Sequence, residues 1–77
     1  MEKIYLLTIE YNADYDEWRK TRVFATLEKA KQVLKELIWE QCQNKTYEII
    51  EKSDIDFYAQ NNEENITMFI VSKIIEE

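Results

Sequence analysis

The chain of 77 residues contains no glycine and no proline, so every reversal of direction must be made by residues that carry a Cβ atom. Asn and Asp are the best substitutes, because they tolerate positive φ and hydrogen-bond to their own backbone. They cluster at four places that mark the predicted breaks: Asn12/Asp14/Asp16, Asn44, Asp54/Asp56 and Asn61/Asn62/Asn65. The same absence excludes the glycine-dependent loops that bind phosphates and dinucleotides, and we expect no cofactor.

Hydropathy patterns between these breaks predict five strands and one helix in the order ββαβββ. Period-2 alternation indicates a strand, and apolar residues at i, i+3 and i+4 indicate a helix. Strands are predicted at Lys3–Tyr11, Trp18–Ala25, Tyr47–Glu51, Ile55–Gln60 and Ile66–Ile75, and the helix from Leu27 to about Gln43. Thr26 is the predicted N-cap and Asn44 the left-handed terminator. In an alternative reading, the third and fourth strands are one bent strand with a bulge near Ser53.

Residues 1–77 are therefore expected to form a single α+β domain of two layers, an antiparallel sheet with one helix on one face. One core in a chain this short supplies only about 3–5 kcal/mol. The single cysteine, Cys42, cannot add an internal disulfide. A second copy or a partner protein would add stability.

The first and last strands are apolar on both faces, which one covering helix does not explain. In the first strand Ile4 and Leu6 oppose Tyr5, Leu7, Ile9 and Tyr11, and in the last Ile66, Met68, Ile70 and Ile74 oppose Phe69, Val71 and Ile75. Three explanations stay open. The last strand curls or a loop covers the second face, the sheet pairs with a second copy, or a partner protein docks there.

Trp39 lies nearly opposite the apolar stripe of the predicted helix, beside Glu36. Because tryptophan is enriched among residues that dominate binding energy, Trp39 is a candidate anchor for a partner. Trp18, on the basic side of the second strand, is another. For both, the alternative is burial under a neighbouring loop or hairpin.

Catalytic groups are scarce. The chain has no histidine, which excludes a histidine-based nucleophilic triad and the usual zinc sites. The pairs Asp14/Asp16 and Asp54/Asp56 are candidates for a hard cation, but each lies in a predicted turn, where Asp is expected for backbone reasons. We therefore expect neither an enzyme nor a metal site, and we count these four carboxylates as candidates for partner binding.

The net charge of the chain limits the kinds of partner that it is expected to bind. With 10 basic and 16 acidic residues the net charge is −6, which disfavours direct binding to nucleic acid. It would steer the domain toward a positively charged surface, or it only keeps the domain soluble. No apolar run is long enough to span a membrane, and Met1–Lys3 does not begin a secretory signal, so we expect a cytoplasmic protein.

The segments Val23–Ala30, Tyr47–Asp54 and Phe57–Ala59 resemble a family of short acidic proteins from low-GC Gram-positive gut bacteria and their phages and mobile elements. The resemblance extends over most of the chain, but Gln60–Asn65 stands where the family has a turn with glycine and tyrosine. It implies no catalytic activity. It implies an origin in which small acidic domains bind and block host proteins, including nucleic-acid-binding defence enzymes, in the host cytoplasm.

The sequence therefore predicts a non-enzymatic protein-binding module that inhibits a host or defence complex. The alternative function is a structural or regulatory domain that forms a homodimer through its sheet. Both readings involve a protein partner, and neither involves direct contact with nucleic acid or a membrane.

Overall fold

The computed structural model describes residues 2–43 and 47–75. Its elements are β1 (Glu2–Ala13), β2 (Glu17–Phe24), α1 (Leu27–Cys42), β3 (Glu48–Lys52), β4 (Asp56–Gln60) and β5 (Glu64–Ile75). The predicted α+β class and the order ββαβββ are confirmed. The third and fourth strands are separate, and the irregularity in their pairing lies between Ile49 and Glu51 rather than near Ser53.

All five strands form one antiparallel sheet in the order β2-β1-β5-β4-β3. The two long strands β1 and β5 are neighbours at its centre and pair from Glu2↔Ile75 to Ala13↔Glu64. Their shorter neighbours stop earlier, at Tyr5↔Phe24 on the β2 side and Asp56↔Phe69 on the β4 side. The first residues of β1 and the last of β5 therefore project as a two-stranded ribbon.

Helix α1 covers one face of the sheet, which we call the covered face. From the helix, Ala30, Val33 and Leu34 are buried. The strands contribute the rest of the core, namely Leu7, Ile9, Phe57, Ala59, Ile66, Met68 and Ile70. These strand residues occupy alternate positions, as the period of two requires.

The helix begins as the sequence predicts. Thr26 is extended, with φ −127° and ψ 148°, and its hydroxyl accepts a hydrogen bond from the backbone N–H of Lys29 at 3.3 Å. This bond satisfies one of the N–H groups that the first turn leaves without a helical partner. At the other end Gln43 keeps a right-handed conformation and donates to the carbonyl of Trp39 at 3.1 Å. The predicted terminator Asn44 lies outside the described residues.

The hairpin turns confirm the predicted hydrogen bonding of a turn Asn to its own backbone, but not the positive φ. No residue in the described ranges has positive φ, so Asn and Asp do not stand in for glycine there by adopting left-handed conformations. At two turns a side chain at the first position accepts two backbone N–H groups instead. Asn61 Oδ1 accepts from Glu63 and Glu64, each at 2.9 Å, and Ser53 Oγ accepts from Ile55 and Asp56.

Candidate functional site

The face of the sheet opposite α1, which we call the open face, is arranged in rows by cross-strand pairing. Leu6 pairs with Val23 on one side and Val71 on the other, and these three residues form the central row. The row one step toward the turns consists of Thr21, Thr8, Phe69 and Asp56. In the row one step toward the ribbon, Ile4 lies beside Lys73.

Nothing in the described part of the chain lies over the central row. Val23 is 60% exposed and Val71 is 46% exposed, and Leu6, Ile4 and Phe69 are only partly buried. Coverage by a curled last strand or by a loop, which was one of the open explanations, is therefore not found in residues 2–43 and 47–75. The open face is an apolar surface in contact with water.

Polar contacts hold the surroundings of this surface in place. Thr8 is buried between its neighbours and shares a hydrogen bond of 3.2 Å with the hydroxyl of Thr21. Toward the turns, Arg19 and Glu10 form an ion pair between β2 and β1. Both contacts link β1 to β2 across the open face.

Trp39 lies on the outer side of α1, away from the sheet, and is 67% exposed. It lines a shallow depression of about 420 Å³ with Lys35, Glu36 and Glu40. Trp39 and Glu36 thus share a polar helix face, as their spacing predicts. Trp39 is not buried under a neighbouring segment, which was the alternative.

Trp18 is in a different situation. It is half-buried, packs against the core and stacks on Tyr11 with a centroid distance of 5.5 Å. The ammonium group of Lys20 lies 5.3 Å from the centre of its ring. These contacts give Trp18 a packing role at the edge of the covered face, so its proposed part in partner binding has less support than that of Trp39.

The four candidate aspartates are not brought together. Asp14 and Asp16 lie in the turn between β1 and β2, Asp54 lies in the turn before β4 and forms an ion pair of 3.9 Å with Lys31, and Asp56 lies on the open face. Within the described ranges there is no group of three carboxylate, thiol or imidazole side chains placed to hold a metal ion.

A polar cluster that the sequence does not predict lies at the turn end of the covered face. The carboxylate of Glu64 accepts hydrogen bonds from the hydroxyls of Tyr11 and Tyr47, the latter at 2.7 Å. These bonds tie β1, β5 and the start of β3 together. Strand patterns do not show such a cluster, because its three members are far apart in sequence and meet only after strand order is fixed.

Cys42 lies at the margin of the covered face and is partly buried. Burial raises the pKa of its thiol, and the charge of Lys52 offsets this only in part. The thiol therefore stays protonated at neutral pH, when its nucleophilicity is low. This environment is that of a small packing residue.

Among the described residues no helix is both long enough and apolar enough to cross a membrane. Comparison of the chain with family models, with curated proteins and with solved structures finds no match. The exposed surfaces of α1 and of the open face are therefore the features of this chain that bear on its function.

Proposed function

We propose that this chain is a non-enzymatic protein-binding module that uses the outer side of α1 as its docking surface. The observation that carries the proposal is the exposure of Trp39 beside Glu36 and Glu40. Tryptophan buries about 150–250 Å² when it is fully packed. Two thirds of that area is worth roughly 2.5–4 kcal/mol if a partner removes it from water.

The charges beside Trp39 favour a basic partner. Glu36 and Glu40 outnumber Lys35 in the depression, and the whole chain carries a net charge of −6. Complementary charge accelerates association and orients the partner more than it adds affinity. The finer proposal is that the module blocks a basic surface of a host or defence complex that otherwise contacts nucleic acid.

The test starts from a photo-reactive residue at position 35, which lines the same depression and leaves Glu36, Trp39 and Glu40 intact. Irradiation in the source organism and mass spectrometry identify the cross-linked protein, and calorimetry then measures its affinity for the purified chain. Trp39→Ala is expected to weaken binding about 30-fold or more, which corresponds to the ~2 kcal/mol expected of a dominant interface residue. Binding is also expected to weaken as salt rises.

Tyr15→Ala is the matched control, because Tyr15 is a fully exposed aromatic residue in the turn between β1 and β2. It removes exposed aromatic area away from α1 and is expected to leave the affinity unchanged. Equal affinities for the wild type and Trp39→Ala would rule the proposed surface out.

A further inference from the structure

We infer that the open face is covered by the open face of a second copy of this chain, in a dimer with twofold symmetry. This inference goes beyond the proposed function, since the open face and Trp39 lie on opposite sides of the domain. Three observations support it: the size of the exposed surface, the apolar central row, and the positions of two charged residues beside that row.

The whole chain exposes more surface than is expected of a compact monomer of its size. The chain has an accessible surface of 5763 Å², whereas a folded monomer of 9.4 kDa is expected to expose about 5,000 Å². The difference is close to the ~800 Å² that each partner buries in a standard interface. The radius of gyration, 13.5 Å, is likewise larger than the ~11.5 Å expected for a compact chain of this length.

The two charged residues nearest to the central row are complementary to each other about it. Lys73 lies on β5, one row from Val71 toward the ribbon. Asp56 lies on the neighbouring strand β4, one row from Val71 toward the turns. We consider a twofold axis that runs along the central row, perpendicular to the strands. With this axis, the row on the ribbon side of one copy lies over the row on the turn side of the second copy. Lys73 then lies over Phe69 of the partner, about 4.8 Å across from the partner's Asp56.

The facing sheets would be about 10 Å apart, a gap that the long flexible side chain of Lys73 spans together with the carboxylate of Asp56 from the second copy. The symmetry produces two such ion pairs, one on each side of an apolar centre in which Leu6 and Val71 meet their own copies. An axis parallel to the strands, between β1 and β5, is less favourable. It places Lys73 over Ile4 and Asp56 over Thr21, so neither charge has a partner.

The arrangement also determines which surface stays free. Because the open faces are in contact, both helices lie on the outside of the dimer, and their Trp39 residues face in opposite directions. The dimer would present two copies of the docking surface of α1.

Sedimentation velocity over a range of micromolar concentrations tests the inference. The wild type is expected to reach twice the monomer mass of 9.4 kDa. Val71→Glu places two like charges against each other at the central row and is expected to leave only monomer. Because Val71 is already 46% exposed, this variant should keep its fold, which circular dichroism checks.

Charge reversal then tests the orientation of the two copies. Lys73→Asp and Asp56→Lys are each expected to raise the dissociation constant about tenfold or more, and the double variant to return it to within about threefold of the wild type. Asp56→Lys is the more informative single variant. It reduces the net negative charge of each copy, so general repulsion alone predicts tighter association, whereas loss of the ion pair predicts weaker association.

Lys35→Asp is the matched control for charge, because Lys35 is an exposed lysine on α1, and it is expected to leave dimerisation unchanged.

A wild type that remains monomeric at several hundred micromolar overturns the inference, even if a different protein proves to bind at Val71. A dimer that persists in Val71→Glu overturns it as well. Two weakened single variants without rescue in the double variant overturn the proposed axis. Trp39→Ala should leave the dimer intact, so a failure of either proposal is distinguishable from a failure of the other.

Discussion

The covered face and the open face belong to the same sheet and draw on the same strands, yet they differ in burial. Leu7 on the covered face is completely buried, whereas its sequence neighbour Leu6 on the open face is only partly shielded. The two side chains are chemically identical, and their strand has a partner on both edges. For these two leucines burial is therefore decided by whether α1 lies above the residue, and hydrophobicity alone does not decide it.

The largest effect is expected from this pair of leucines. Leu7→Ala leaves a cavity in the core and should lower the free energy of unfolding by about 2–5 kcal/mol, most or all of the stability of a domain this small. Leu6→Ala should cost much less, because little packing is lost when α1 does not cover the site. Urea denaturation at low protein concentration measures both, and equal losses would contradict the distinction between the faces.

A smaller difference is expected between two tyrosines. Tyr47 donates to the carboxylate of Glu64 on the covered face at 2.7 Å, and Tyr58 donates to Gln60 on the open face at 3.2 Å. Tyr47→Phe should cost about 1.5–3 kcal/mol, since a bond to a charged group is lost, and Tyr58→Phe about 0.5–1.5 kcal/mol. Thermal unfolding of the two variants side by side tests the ranking, which a larger loss in Tyr58→Phe would reverse.

The stability of α1, the helix that covers the sheet, is expected to fall when its N-cap is changed. Thr26→Ala removes the acceptor for the N–H of Lys29 and should cost about 1 kcal/mol. Thr26→Ser keeps the hydroxyl and serves as the control. Hydrogen exchange should show faster exchange in the first turn of α1 for the alanine variant alone. Similar exchange in both variants would show that the cap does not hold the helix on the sheet.

The smallest effect is expected on the open face, at the ion pair of Arg19 and Glu10. The Arg19 side chain is exposed, so Arg19→Ala should change the free energy of unfolding by only about 0.2–1 kcal/mol. The difference from the wild type should shrink further in about 1 M salt, where the Debye length falls to ~3 Å. A loss that is large and independent of salt would mean that this end of the open face is more buried than the structure shows.

Much of the local structure follows from the sequence. Alternation predicts the five strands, and Thr26 predicts the start of the helix. The first and last strands show a surplus of apolar residues on a second face, although the pattern leaves open what covers that face. Trp39 also lies on the outer helix face, where its spacing places it. These predictions succeed because they depend on periodicity and capping, which are properties of residues close together in the chain.

Other features were predicted only in part or not at all. The turns were expected to use Asn and Asp, which tolerate positive φ and hydrogen-bond to their own backbone. No described residue has positive φ, whereas Asn61, and also Ser53, accept hydrogen bonds from nearby backbone N–H groups. The part of the candidate carboxylates in partner binding stays a prediction; Asp14 lies in the turn between β1 and β2 and Asp56 at the start of β4. The cluster around Glu64 was not predicted, because it depends on which strands become neighbours.

The sequence by itself determined the order of the elements and the presence of more apolar surface than one helix can cover, because side-chain period and composition are local. The tertiary structure alone decided that β1 and β5 lie together at the centre of the sheet. Strand order results from pairing between distant segments, and the free energy of that pairing is not visible in any single segment. It is this pairing that places Leu6 between Val23 and Val71, and so turns apolar residues from three strands into one continuous surface.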